Sequence, residues 1–186
     1  MHPVFSFTDA QFRDAYLRGA DDGRRGRPFP PGAIQPASFT VNAVGQDKTA
    51  TLALRLLLPL DEARYQGWID ARAGAVGDAG VEGALRRARG TLRFLVEETE
   101  DKPFDESEQE LWNGVNYRLS AAGIDSLAPI SQPRFRATRD LISDIAERET
   151  PLRFAAAAGL SAAAASVTVT ISLDPQDVAL AFPLPA

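Results

Sequence analysis

Apolar and polar positions alternate most cleanly near the C-terminal end of the chain. Ser166-Val-Thr-Val-Thr-Ile-Ser-Leu173 sets hydroxyl side chains against branched apolar ones, the period of a half-buried strand. Asp174-Pro-Gln-Asp177 reads as a turn, after which Val178, Leu180, Phe182 and Leu184 resume the alternation. Together these predict a hairpin with one buried face. Leu152–Ala157 reads as a third strand beside it, and the alanine-rich stretch 155–165 has no period. A second hairpin is predicted earlier, from Ser38–Val44 and Thr49–Leu58 across the four-residue turn Gly45-Gln-Asp-Lys48. Leu52, Leu54, Leu56 and Leu58 share one of its faces, with Thr51, Ala53 and Arg55 on the other, and Pro59 stops the strand.

Between and before the hairpins the period is helical. Thr8 and Gln11 form a capping-box pair, and Phe7 and Phe12 a hydrophobic staple, opening a helix over Asp9–Ala20. Gly23 and Gly26 weaken its continuation, and Pro28–Pro36 reads as an extended connector. Asp61 is placed to cap a helix with Tyr65, Trp68, Ile69 and Arg72 on one side and Leu60 and Tyr65 as a staple. From Asp78 the spacing of Val81, Ala84, Leu85, Ala88, Leu92, Leu95 and Val96 predicts one long helix, with a strand over Thr91–Glu97 as the alternative. Ser107 and Glu110 form a further capping box for a helix through Trp112, Val115, Leu119 and Ala122, ended by Gly123 and Ile124 in a Schellman-like signal. A last helix is predicted over Ala137–Glu149. The resulting fold class is α+β in a single domain spanning 1–186: an antiparallel sheet from an N-terminal hairpin and a C-terminal hairpin or meander, packed against about four central helices.

Composition narrows the chemistry. His2 is the single histidine and there is no cysteine, so the usual general base and all thiolate chemistry are missing. Ser161 in Gly159-Leu-Ser-Ala-Ala163 echoes a nucleophile elbow but lacks an imidazole partner, and Lys48 and Lys102 are the only lysines. No cofactor or metal is expected. No apolar run, Leu56–Leu60 included, is long enough to span a bilayer. A soluble, cytoplasmic protein is expected, in the host cytoplasm if phage-encoded.

Charge is unevenly spread. Residues 1–93 carry a net charge of +3 and residues 94–186 a net charge of −8. The acidic run from Glu97 to Glu110, including Glu98, Glu100 and Asp101, lacks the turn glycine and alternating ligands of an EF-hand. It reads first as a solvated loop leading into a helix start. Arg86, Arg89 and Arg93 fall on one face of the long helix predicted there, a phosphate-like stripe without interleaved aromatics. Asp140, Asp144 and Glu147 fall on one face of the last helix and read as a solvated exterior. Gly19, Gly23 and Gly26, with Arg24, Arg25 and Arg27 between and after them, follow Ala15-Tyr16. Over about fifteen residues this resembles a pattern in small bacterial and phage proteins similar to ribosome modulation factor. The resemblance implies close backbone approach to RNA or to another helix; the rest of the chain is unlike those proteins.

By elimination the sequence points to a non-enzymatic interaction or assembly protein of phage or bacterial origin, acting through protein contacts that include self-association. Arg24, Arg25, Arg27, Arg86, Arg89, Arg93, Glu97, Glu98, Glu100 and Asp101 are the candidate partner-binding residues. A nucleic-acid-associated protein using the arginine clusters is the alternative, and a carboxylate, metal-dependent hydrolase the third reading.

Overall fold

Thr8 caps the first helix as the sequence predicts. In the computed structural model, which describes residues 1–29, 34–43, 46–98, 114–133 and 152–185, the Gln11 amide donates to Thr8 Oγ1 and the Thr8 amide donates to the Gln11 side chain. Phe7 and Phe12 close the staple, with ring centroids 5.7 Å apart. Helix α1 runs Asp9–Arg24, past its predicted end at Ala20, because Gly19 and Gly23 face a neighbouring helix instead of ending this one. That neighbour is α2 (Pro59–Arg72), and α3 (Asp78–Ala88) packs beside both. Helix α2 takes Pro59 at its first turn with Leu58 as N-cap. Asp61 is therefore a first-turn residue that favours the helix dipole, not the cap, and Leu60 is exposed instead of stapled.

The strands form two antiparallel sheets, not one. The first contains β1 (Ile34–Ala43), β2 (Gln46–Leu57), β3 (Leu92–Glu98) and β6 (Leu152–Phe154), in the order β1-β2-β3-β6. The second contains β4 (Asn116–Ala121), β5 (Ile124–Leu127), β7 (Ser166–Leu173) and β8 (Gln176–Pro183), in the order β5-β4-β7-β8. Their facing sides share one core, to which Phe39, Leu52, Leu54 and Phe154 contribute from the first sheet and Leu119, Val169, Ile171 and Phe182 from the second. Phe94 sits at its centre, meeting Phe154 and Phe182 edge-on at 5.9 and 5.1 Å. The opposite face of the first sheet packs Leu57 and Leu95 against Tyr65, Trp68 and Ile69 of α2. The layers are helices, sheet, sheet. The first sheet is covered on both faces.

That double coverage explains where the sequence reading departs from the structure. Thr91–Glu97 is not a helical extension of α3: Gly90 takes a positive φ of 71° and β3 starts at Leu92. A strand buried on both sides is apolar at both parities, which mimics helical spacing. Residues 116–121 are likewise strand, with Val115, Tyr117 and Leu119 buried and Asn116 and Arg118 exposed. Gly123, at a φ of 88°, turns the β4–β5 hairpin instead of ending a helix. Leu152–Phe154 is a strand, but it pairs with β3, not with the C-terminal hairpin. Both predicted hairpins exist with longer strands. Ala43 pairs with Gln46 and Leu173 with Gln176, so Gln46, Asp47, Lys48, Gln176 and Asp177 are strand residues, not turns. Ile34–Pro36, taken as connector, belong to β1; Pro36 is tolerated because β1 is an edge. Three α-helices occur among the described residues, fewer than the four expected. The capping box at Ser107, Trp112 and the predicted helix Ala137–Glu149, with Asp140, Asp144 and Glu147, lie outside the described residues.

Candidate functional site

Three charged side chains are buried where α2 crosses the first sheet. Glu62 is 1% exposed, Arg93 4% and Arg153 6%. The Glu62 carboxylate accepts from Arg153 Nη2, and Arg93 Nη1 lies 3.8 Å from the same oxygen, Oε1. Arg93 also lies over the Tyr65 ring, 5.1 Å from its centroid. Arg153 Nη1 donates to the Arg87 carbonyl at 3.3 Å, in the last turn of α3. That end of a helix is partially negative, so α3 adds to the Glu62 carboxylate in compensating the Arg153 guanidinium. The cluster ties helix layer to sheet layer. Sequence reading placed Arg93 on a helical phosphate stripe and passed over Glu62 and Arg153. One signal was available: Leu92-Arg93-Phe94-Leu95 and Leu152-Arg153-Phe154 each place an arginine within an otherwise apolar strand, and a buried guanidinium needs a buried partner.

The three helices are locked by a second network. Tyr16, fully buried on α1, donates to Asp70 Oδ2 at 2.5 Å, and Gln66 Nε2 donates to Asp70 Oδ1 at 2.8 Å. Burial, reinforced by the Asp70 carboxylate, pushes the Tyr16 phenol from 10.0 up to about 12. A raised phenol pKa favours the neutral form in the fold, so this stabilisation is complete below pH 10 and is lost as pH climbs towards 12. Over that window a loss on the order of 2–3 kcal/mol is expected. Urea denaturation at pH 9.5 and 11.5 checks it: Tyr16→Phe should lose less stability than the wild type over the same interval. Tyr117 is also pushed up by burial, and its hydroxyl has no hydrogen-bond partner among the described residues.

His2, although second in the sequence, is 1% exposed. Its Nδ1 accepts from the Val4 amide at 3.3 Å, and its Nε2 lies 3.0 Å from the Ala164 carbonyl, which fits the tautomer protonated at Nε2. Nδ1 thereby caps the short helical turn Pro3–Phe5, and Nε2 ties the N-terminal segment to the sandwich. Ser161 lies in the loop between β6 and β7, where its Oγ accepts from the Ala163 amide at 3.3 Å, an arrangement of turn formation and not of nucleophile activation.

The remaining predicted site residues are dispersed. Arg24 closes α1, Arg25 caps it and Arg27 follows; Arg86 lies on α3 and Arg89 caps that helix. Arg25 pairs with Asp21 at 3.0 Å, Arg27 with Asp22 at 3.3 Å and Arg89 with Asp9 at 2.6 Å. Asp22 also takes a hydrogen bond from Arg64 at 2.6 Å, which holds its carboxyl below the usual range. Asp14, Leu17, Arg18, Asp21, Asp22 and Arg64 line an open depression of about 560 Å³ whose charges are largely paired with one another or with adjacent arginines. Arg24 and Arg86 are exposed and make no ion pair among the described residues. Glu97 and Glu98 close β3, opposite Ala53 and Leu52 of β2; Glu100 and Asp101 lie outside the described residues. Among the described residues no three His, Asp or Glu side chains are placed to share a metal ion, and no helix is long and apolar enough to cross a membrane.

One broad surface was not singled out from the sequence. The outer face of the second sheet presents Thr168, Thr170 and Ser172 on β7, flanked by Arg118 on β4 and by Ala179 and Ala181 on β8. The hydroxyl and alanine side chains are short, Ala179 and Ala181 are exposed, and Arg118, opposite Thr170, is long and exposed beside them. Regular alternation on adjacent antiparallel strands gathers these side chains on one face. Comparison of the chain with protein families, with curated proteins and with solved structures found no match.

Proposed function

We propose that the chain is a non-enzymatic interaction or assembly protein, phage or bacterial, that acts by docking a protein partner. The observation that carries this reading is the broad, hydroxyl-rich outer face of the second sheet. Small molecules are held in concave pockets that bury most of their surface. A broad face of hydroxyl and alanine side chains with an arginine among them instead lets another protein surface approach over a wide area, with hydroxyls and the Arg118 guanidinium available for the hydrogen bonds of an interface. Thr170 and Ala179 are cross-strand partners at the middle of this face. Thr170→Glu combined with Ala179→Arg should leave the melting temperature within a few degrees, because the new carboxylate lies between Arg118 and the new arginine and surface changes cost about 0.5 kcal/mol or less. The wild type is expected to retain a defined protein from a bacterial lysate and the double variant to lose it. Equal retention by both would remove this face from the proposal.

Arg24 and Arg86, exposed and without an ion pair among the described residues, favour nucleic-acid association as the second reading. The ion pairs of Arg25, Arg27 and Arg89 weigh against it, since each occupies a guanidinium that a phosphate would need. A fluorescence-anisotropy titration at low salt separates the two readings: the docking proposal expects no salt-dependent binding of DNA or RNA.

A further inference from the structure

The first sheet ends on β1, which at ten residues is the longest of the four edge strands among the described residues. An edge presents a row of unpaired main-chain donors and acceptors, a template for another strand. Here one position of the row is already filled. The Thr40 amide donates to Gln176 Oε1 at 2.9 Å, and Gln176 Nε2 donates to the Thr40 carbonyl at 2.7 Å. A primary amide in this pose reproduces the two-bond exchange that a residue of an added antiparallel strand would make.

Thr40 directs both main-chain groups away from β2, so alternation puts Pro36, Ser38 and Asn42 on the same open side. Pro36 has no N–H to offer an incoming strand. Positions 36 and 40 are both closed, and Ser38 is isolated between them. Gln176 follows the parity of Val178, Leu180 and Phe182, whose side chains turn inward. It is the polar member of that row at the rim, where the second sheet comes alongside β1.

We infer that the Gln176 amide, together with Pro36, is a plug that keeps the β1 edge from pairing with the β1 edge of a second copy of this chain. The second copy is the natural occupant because two identical edges related by a two-fold axis pair antiparallel, each offering what the other needs. All neighbouring strands of the first sheet are already antiparallel. The inference does not depend on the partner proposed above, which would dock on the other sheet.

The test combines amide exchange with light scattering. In the wild type the Thr40 amide should exchange about tenfold more slowly than that of Ser38, and Gln176→Ala should abolish the difference. Gln176→Ala combined with Pro36→Thr restores the full edge, and its mass should double relative to the wild type as concentration rises. Equal exchange at Thr40 and Ser38 in the wild type overturns the inference without any variant being needed. So does a folded double variant that keeps the wild-type mass throughout. Growth beyond a pair also counts against it, because one β1 edge per copy closes the pairing at two.

Discussion

Replacing Glu62 by alanine is expected to lower stability by about 3–5 kcal/mol, the usual cost of leaving buried charge without its partner. The change removes the carboxylate that, among the described residues, faces both Arg93 and Arg153, and those guanidiniums are 4% and 6% exposed. Neither can reach water without separating α2 from the first sheet. Tyr65 and the end of α3 soften the loss but carry no full negative charge. Urea denaturation at neutral pH measures it. A companion variant tests the cause: replacing Glu62, Arg93 and Arg153 together by leucine or methionine should recover most of the loss, since an apolar cluster of similar volume needs no charge balance. If Glu62→Ala costs less than about 1 kcal/mol, the cluster is not desolvated as described.

Gly67→Ala should be the other large effect, and its sign is opposite to the helical average. In a helix interior, alanine is normally favoured over glycine by about 1 kcal/mol. At Gly67 an added Cβ would lie 1.9 Å from the Tyr16 carbonyl oxygen, and at Gly19 one would lie 1.8 Å from the Arg64 carbonyl oxygen. Both obstacles are backbone, so α1 and α2 must move apart and strain the Tyr16–Asp70 bond between them. A loss of about 3 kcal/mol is expected at either position, the upper end for overpacking. Gly83 on α3 is the internal control. Its added Cβ would meet only the far end of the Arg87 side chain, at 3.3 Å, so Gly83→Ala should raise stability by up to about 1 kcal/mol. A destabilised Gly83→Ala beside an unaffected Gly67→Ala would refute the seam between α1 and α2.

The same glycines show how a sequence signal finds its meaning. Gly19, Gly23 and the arginines after them carry a resemblance that implies close approach to RNA or to a helix. In the structure Gly19 and Gly23 approach α2, and Arg25 and Arg27 pair with aspartates of their own helix. Arg93 shows the converse. Its spacing from Arg86 and Arg89 gives a helical stripe only if Gly90 lies inside the helix, whereas Gly90 turns the chain and sends Arg93 under α2. Val115 and Leu119 sit at positions that fit either a helical face or a strand parity, and only the pairing of Leu119 with β7 separates the two.

What the sequence determined by itself was local. The capping box at Thr8, the staple of Phe7 and Phe12, the start of α3 at Asp78 and both hairpins depend on residues a few positions apart, which act before distant parts of the chain meet. The tertiary structure decided what lies across the molecule. It set two sheets in place of one, gave Leu152–Phe154 to β3 and buried the charges of Glu62, Arg93 and Arg153 between layers. Those outcomes depend on which apolar faces cover one another, and a strand covered on both sides loses the alternation by which a sequence announces it.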